Sequence, residues 1–401
     1  MGRALDIAVA GCGPAGLAAA LLLRRDGHRV TLFERFETAR PIGSGLMMQP
    51  TGMAVLETLG LAGAIRERAA AVDRLFGASA PSGRVVLDVR YRALGPRAGC
   101  GYGVHRAALF DVLHHAARAE TLTIETGREV AGSEADGPGR RLHFADGGSD
   151  GPFDLVVDAL GHATTLAAPC GRPLAYGALW ASLDWPGESD LDPAALEQRY
   201  QRASVMVGVL PIGVAPGRLA SQAAFFWSLR SDRLDAWRAG GLDAWKHEVL
   251  QVWPAVRPLL DQIRDPGQLT FARYTHRMLE TPKERALAHI GDAWRSSSPQ
   301  LGQGANMALL DAYALALSLR EAPDVPEALE AFVRRRRGHA ALYHLLSAMF
   351  TPVYQSDSRT LPLLRDLVMG PISKLWPATV IQAAMVSGLV GSPLGPLGLR
   401  P

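Results

Sequence analysis

Residues 5–16, LDIAVAGCGPAG, run an apolar segment into glycines at 11, 13 and 16, and the helix-forming stretch LAAALLLRR follows at once. The order predicts a buried strand over 5–10, a tight turn and a helix to about Arg25. Gly27 stops that helix, and a second strand, HRVTLFER, follows. Glycine spacing of this kind is weak on its own, but between a strand and a helix it points to a dinucleotide site. Gly11 makes the turn, Gly13 admits a pyrophosphate, and Gly16 lets helix and strand approach. Glu34 closes the second strand, where its carboxylate would accept the adenosine ribose hydroxyls and repel a 2′-phosphate. The motif by itself does not separate NAD from FAD. It does fix the fold class as α/β, built on a parallel, Rossmann-type sheet.

A second glycine-broken loop lies almost three hundred residues later. IGDAWRSSSPQLGQGANMALLDA (290–312) leaves an apolar segment at Gly291-Asp292 and passes a serine-rich turn and Pro299. Gly302 and Gly304 then bracket Gln303 just before a helical run. A helix N-terminus presents unpaired N–H groups and partial positive charge, which suit an anion or an electron-rich carbonyl. An NAD site seldom needs such a distant second element. FAD does, because its ribityl chain and flat ring extend well past the pyrophosphate.

Together, GCGPAG…ER and GDAW…SPQLGQGANMALLDA resemble the class A FAD-dependent aromatic monooxygenases, the para-hydroxybenzoate hydroxylase-like family. The resemblance spans nearly the whole chain and includes PIGSGLMMQPTGMAVLETLGL (41–61) and VHRAALFDVL (104–113). QSDSR (355–359) looks most like the ubiquinone-biosynthesis hydroxylase branch. The family implies FAD contacts at Gly11, Gly13, Pro14, Ala15, Gly16, Glu34 and Arg35 for the adenosine and phosphates, with the Val130 backbone at the adenine. Arg106 matches an arginine on the phosphates or ribityl chain, and Gly43 and Gly45 match a loop over the ring, with Met47 and Met48 beside it. Asp292 matches a ribityl ligand, Pro299 lies beside the flavin, and Gly302, Gly304, Ala305, Asn306 and Met307 bring backbone to the ring's N1–C2 edge. The implied reaction is hydroxylation of an apolar, aromatic small molecule by a reduced flavin that takes up O₂ as a C4a-hydroperoxide, with NAD(P)H as the reductant.

Two stretches depart from the family pattern. DLVVDALG (154–161) stands where Gly-Ala-Asp-Gly is usual, so Leu160 replaces an aspartate thought to serve both FAD and the pyridine nucleotide. Asp158 is two residues earlier, on the same face of an extended strand but about 7 Å away. Trp294-Arg295 stands where Ala-His is common, which predicts a reshaped pocket or nicotinamide approach. The Leu160 departure keeps open a flavoprotein of the same fold that NAD(P)H does not reduce directly: an oxidase, or a monooxygenase fed by free reduced flavin. A non-catalytic FAD-bearing partner protein is the remaining alternative. A flavin halogenase fits poorly, because W-x-W-x-I-P is absent.

The FAD domain is expected to be discontinuous, over 1–75, 100–175 and 270–320. A substrate-binding sheet domain over 76–99 and 176–269 is inserted in it, and 321–401 forms C-terminal helices. YGALWASLDW, RASVMVGVLPIG and RLASQAAFFWSLR read as strands of that sheet. Trp180, Phe225, Trp227 and Tyr274 are candidates for its apolar lining. No catalytic residue declares itself, although His105, His276 and Arg277 are within conceivable reach of a pocket. The 42 basic and 39 acidic residues nearly balance, so no nucleic-acid partner is expected. Three scattered cysteines fit a reducing, cytoplasmic setting and neither a disulfide framework nor a metal site. Leu375–Leu399 carries no charge but several prolines and glycines, so packing is expected there, with peripheral membrane contact as the alternative.

Overall fold

The computed structural model describes residues 3–39, 43–95 and 99–400. Pro41 and Ile42 of the 41–61 segment therefore lie outside the described residues. The six-stranded sheet has the order Lys283–Glu284, Leu287–His289, Leu155–Asp158, Asp6–Ala10, Arg29–Phe33 and Thr123–Glu125. All of its pairings are parallel except that between Lys283–Glu284 and Leu287–His289. Near-continuous apolar runs such as IAVA and LVVD suit strands buried on both faces. Two helices cover one face: Pro14–Arg25, which starts on a proline, and Gly304–Glu321. They pack on each other in the largest core cluster, where Leu17, Leu21, Leu309 and Leu310 are fully buried. Each such leucine contributes roughly 1.5–3 kcal/mol by burial.

A seven-stranded sheet stands beside it, in the order Thr270–Ala272, Tyr176–Asp184, Gln222–Arg230, Val205–Gly213, Ala195–Gln201, Arg74–Ser79 and Val85–Arg90. LTFARYTHRML divides rather than forming one strand. Thr270–Ala272 stays in this sheet, and Thr275–Met278 joins a small separate sheet with Arg295–Ser296. Helices Leu234–Gly240 and Leu242–Val252, split at Gly241, cover the sheet's outer face. Its inner face meets a three-stranded sheet of Gly45–Met48, Gly101–His105 and Ala70–Val72. Contact there is very close: a methyl on Gly103 would sit 1.8 Å from the Pro211 carbonyl oxygen, and one on Gly45 would sit 2.4 Å from Ile212.

The chain ends in helices. Val325–Tyr354 is capped by the Asp324 side chain, and shorter helices follow to Ala378–Val386. QSDSR clamps the substrate sheet: Gln355 donates to the Gly177 carbonyl at 3.0 Å, and Asp357 accepts from the Tyr176 hydroxyl at 2.5 Å and pairs with Arg230. Among the described residues, no helix is long and apolar enough to cross a membrane.

Candidate functional site

The strand Asp6–Ala10 ends in Gly11, whose φ of +105° is accessible to glycine and strained for other residues. A methyl on Gly16 would lie 1.9 Å from the Gly11 oxygen, so helix and turn touch directly. Gly13, by contrast, faces open space at the helix start. Glu34 is buried, and its two carboxylate oxygens each accept one backbone N–H at 3.1 Å, from Cys12 and from Phe36. Each oxygen keeps a further lone pair for a hydroxyl. Burial and the Glu34 charge push the Cys12 thiol up to about 12, so Cys12 is an inert packing side chain. Arg35 is exposed with its guanidinium over the Phe36 ring, and Val130 is buried in the cluster that holds Phe33 and Ala10.

The second loop arrives at the same place. Gly291 turns so tightly that a methyl on it would lie 3.3 Å from the Ala15 side chain and 3.1 Å from that of Ala308. Residues 276 positions apart in sequence (15 and 291) thus border one cleft. Asp292 follows with an open surface although Arg106, Arg295 and His162 all stand close around it, which places it on the wall of a deep concavity. Burial raises its carboxyl above the usual carboxylate range, and the neighbouring Arg106 and Arg295 pull the other way. Arg106 opens the helix Arg106–Ala119; a methyl on Gly43 would lie 2.9 Å from its Cδ.

Pro299 is exposed at the start of a short turn that ends at Gly302, in the left-handed conformation. The helix Gly304–Glu321 starts with no side-chain cap and with open space at Gly304. Met307 N–H bonds to the Gln303 carbonyl at 2.9 Å, which leaves the N–H groups of Gly304, Ala305 and Asn306 as the helix's free donors. Met307, expected to offer its backbone here, is instead buried beneath the turn, its sulfur 3.6 Å from Arg336. The fully buried Asn306 side chain accepts the Gln49 N–H at 2.8 Å and donates to the carbonyls of Met47 and Gly302. It locks the Gly45–Met48 strand to the loop. Gln49 keeps a buried Nε2 donor with no partner, next to Gly302.

The departures take specific places. Asp158 is fully buried: Oδ1 accepts the Leu160 N–H at 3.0 Å, and Oδ2 meets the Thr164 hydroxyl and His289 Nδ1, each at 2.7 Å. It holds the turn together and does not stand in for a carboxylate at 160. The Leu160 side chain packs against the cluster of Phe33, Val130 and Leu166. Trp294 and Arg295 do not reshape the pocket as expected. A single 3₁₀ turn rotates both inward, with Trp294 fully buried edge-on to Phe332 and donating to the Leu279 carbonyl. Arg295 and the fully buried Arg336 converge on Asp311, which also accepts the Gly291 N–H at 3.1 Å.

The inner face of the seven-stranded sheet presses on Gly45, in the strand that Asn306 ties to the second loop. Register puts Trp180 opposite Phe226, and their rings lie 4.7 Å apart. Tyr274 accepts the Trp180 indole N–H at 2.9 Å, and its burial raises the phenol to about 12. Phe225 and Trp227, named with them from sequence, point to the opposite face and pack on Trp245. Phe226 was missed because alternation alone does not say which parity faces inward. Also unanticipated is a polar chain on the sheet: Ser44 and Ser182 hydroxyls 2.7 Å apart, and His105 Nε2 3.2 Å from Ser182. His105 Nδ1 accepts the Ala107 N–H, so the neutral ring carries its proton on Nε2 toward Ser182. Arg277 donates to the His162 carbonyl at 2.7 Å, and His276 lies against His344.

These groups fit FAD on several independent counts: an open glycine for the pyrophosphate, a carboxylate for ribose, a walled aspartate, and uncapped donors with an orphaned amide at the ring end. Residues 4–156 match the FAD_binding_3 family, an FAD binding domain. The 6-methylpretetramide 4-monooxygenase of Streptomyces rimosus is 29% identical over 84% of this chain and 81% of its own. The 3-amino-4-hydroxybenzoate 2-monooxygenase of Streptomyces cremeus is 27% identical over 81% of each. Among solved structures, Klebsiella pneumoniae HpxO complexed with FAD and uric acid shares the fold with a TM-score of 0.80 at 20% identity, covering 97% of this chain and 98% of that one. These relatives do not single out the ubiquinone-biosynthesis branch. With the cleft built as it is and relatives of this kind along most of its length, the chain is an FAD-dependent oxidoreductase that resembles the class A, para-hydroxybenzoate hydroxylase-like monooxygenases.

Proposed function

We propose that this enzyme hydroxylates an apolar, aromatic small molecule held between the flavin and the aromatic face of the seven-stranded sheet. The observation that supports this is the approach of Gly291 to Ala15, with the Trp180 and Phe226 face of the sheet tied to the same region through Gly45 on Ile212 and Asn306 on Met47. Bound FAD, once given two electrons by an external nicotinamide or reduced-flavin donor, would supply the redox chemistry by which one atom of O₂ enters the substrate and the other leaves as water. Gly13 and Glu34 would bind the pyrophosphate and ribose, and Asp292 and Arg106 the ribityl chain. Arg35, Val130, Pro299 and Gly302 would border the cofactor. The N–H groups of Gly304, Ala305 and Asn306 would stabilise negative charge on the pyrimidine edge of the reduced ring. Gly45 lets its strand press on Ile212 and Ala224, which fixes the sheet against the cofactor side. Ser182 and His105 offer a polar end at which a substrate hydroxyl or ring nitrogen can be oriented.

The test is turnover of purified, FAD-loaded protein with a panel of fused-ring and monocyclic phenols, anilines and quinolones. Oxygen consumption matched by hydroxylated product supports the proposal. Flavin-bearing protein that yields only hydrogen peroxide with every substrate rejects it in favour of an oxidase.

A second reading concerns the electron source, and Leu160 favours it. With an apolar side chain at that position and Asp158 fully engaged, no carboxylate meets an arriving nicotinamide there. Reduced flavin delivered from elsewhere would then drive the same oxygen chemistry.

A further inference from the structure

The C-terminal segment leaves one apolar face uncovered. Among the described residues, every strongly exposed large hydrophobic side chain except Leu219 lies between Leu345 and Ile381. Trp376 is 82% exposed and Leu375 62%, with Leu363, Leu367, Ile372 and Ile381 around them in sequence. On the helix Val325–Tyr354, Arg337, Ala341, Leu345 and Met349 recur at four-residue steps, and all four are exposed, so one stripe runs from a cation into the apolar region. The inner side of this segment is well anchored. Its helices pack on Val85–Arg90, Ala383 and Val386 join the cluster of Met47 and Leu210, and buried Arg365 lies over the Tyr200 ring while pairing with Asp366. The exposed side is thus one face of an ordered unit.

Its charge has one sign. No acid occurs from Leu367 to the end of the sequence, whereas Lys374 is exposed two residues from Trp376 and Arg359 is exposed before the first of these helices. The acids nearest in sequence are occupied, Asp357 by Arg230 and Tyr176, and Asp366 by Arg365 and the Ser79 hydroxyl. A symmetric pairing of two copies through this face would set Lys374 and Arg359 against the same cations of the other copy, with the nearest acids in sequence already paired. Protruding tryptophan and leucine, short helices lying along the surface and exposed Lys374 and Arg359 beside paired acids match an anionic lipid surface.

We infer that this face docks the enzyme peripherally on anionic lipid, with Trp376 and Leu375 inserted among the headgroups and Lys374 paired with lipid phosphate. Flotation of the FAD-loaded protein with vesicles of equal phosphatidylcholine and phosphatidylglycerol, against phosphatidylcholine alone, tests it directly. Binding is expected to favour the anionic vesicles and to weaken at high salt. It is expected to fall about tenfold in Lys374→Glu and by at least as much in a Leu375→Ser, Trp376→Ser double variant, with flavin content and turnover of a soluble substrate unchanged. Sedimentation velocity on the same proteins supplies the other arm. Absence of flotation, equal flotation on both vesicle types, or a dimer that the double variant dissociates without any vesicle binding would each overturn the inference.

Discussion

Asp311 holds Gly291 in place: its Oδ2 accepts the Gly291 N–H at 3.1 Å, while Oδ1 takes the Arg336 Nε–H at 2.8 Å. The turn that presents Asp292 to the cleft is therefore braced from behind by a buried Arg295–Asp311–Arg336 group. Asp311→Ala would strand two guanidiniums in the core and is expected to cost about 3–5 kcal/mol of stability, with loss of flavin. Thermal and denaturant melts check this. A loss below about 1 kcal/mol would show that the arginines find other acceptors.

His339 makes the same core sensitive to acid. Its Nε2–H donates to the Gly388 carbonyl at 3.0 Å and its bare Nδ1 accepts from Arg336 at 3.1 Å, so the ring is neutral. Burial first, then Arg336, lowers it from 6.5 to about 3. Between those values the unfolded chain binds the proton and the folded chain does not, so stability falls as pH drops below 6.5, approaching about 1.4 kcal/mol per pH unit. Removing the titration in His339→Gln is expected to flatten that part of the stability profile. An unchanged slope between pH 6 and 4 would assign the acid sensitivity elsewhere.

Asp292→Ala is expected to weaken FAD retention by about 1.5–3 kcal/mol, the range for a hydrogen bond to a charged group. Glu34→Ala removes an acceptor from the ribose and also frees the N–H groups of Cys12 and Phe36, so it is expected to loosen the phosphate loop as well. Flavin titration of the apoproteins measures both. Wild-type affinity in the two variants would contradict the assignment of the cleft.

NADH and NADPH are expected to reduce the bound flavin slowly, because Leu160 offers an apolar surface where a carboxylate is usual and Asp158 is locked by Thr164 and His289. Chemical pre-reduction should restore oxygen chemistry, and Leu160→Asp should speed reduction. Stopped-flow absorbance decides the matter: wild-type reduction within milliseconds at modest NADPH would restore the ordinary cycle.

Trp180→Phe deletes the donor to Tyr274 and loosens this face of the sheet, and Phe226→Ala removes the ring that lies over Gly208. Both should raise KM for aromatic substrates about five- to tenfold or more while flavin content stays full. Equal KM values would move the substrate away from this face.

Legibility in the sequence followed locality. The Gly11–Gly16 turn and the Gly302–Gly304 loop were readable because backbone chemistry over a few residues dictates them. Glu34 was readable because a strand end fixes where its side chain points. Face choice was not: Phe225 and Phe226 are adjacent, and only pairing with Trp180 shows which one meets the cleft. Trp294 and Arg295 misled because one 3₁₀ turn decides whether two bulky residues face a ligand or the core. The Ser44–Ser182–His105 chain joins three segments and carries no local signature at all.

The cleft's rear wall has a consequence for when cofactor can be captured. Its braces come from Ala15, Asp158, Gly291, Ala308, Asp311 and Arg336, so residues on one side of the site reach the solvent long before those on the other. At about 5–20 residues per second, a ribosome exposes the phosphate loop tens of seconds ahead of Arg336. The nascent chain in that interval has one end of a flavin site and no other. FAD loading is consequently expected to be a late event of biogenesis, completed when most of the polypeptide has emerged and folded around it.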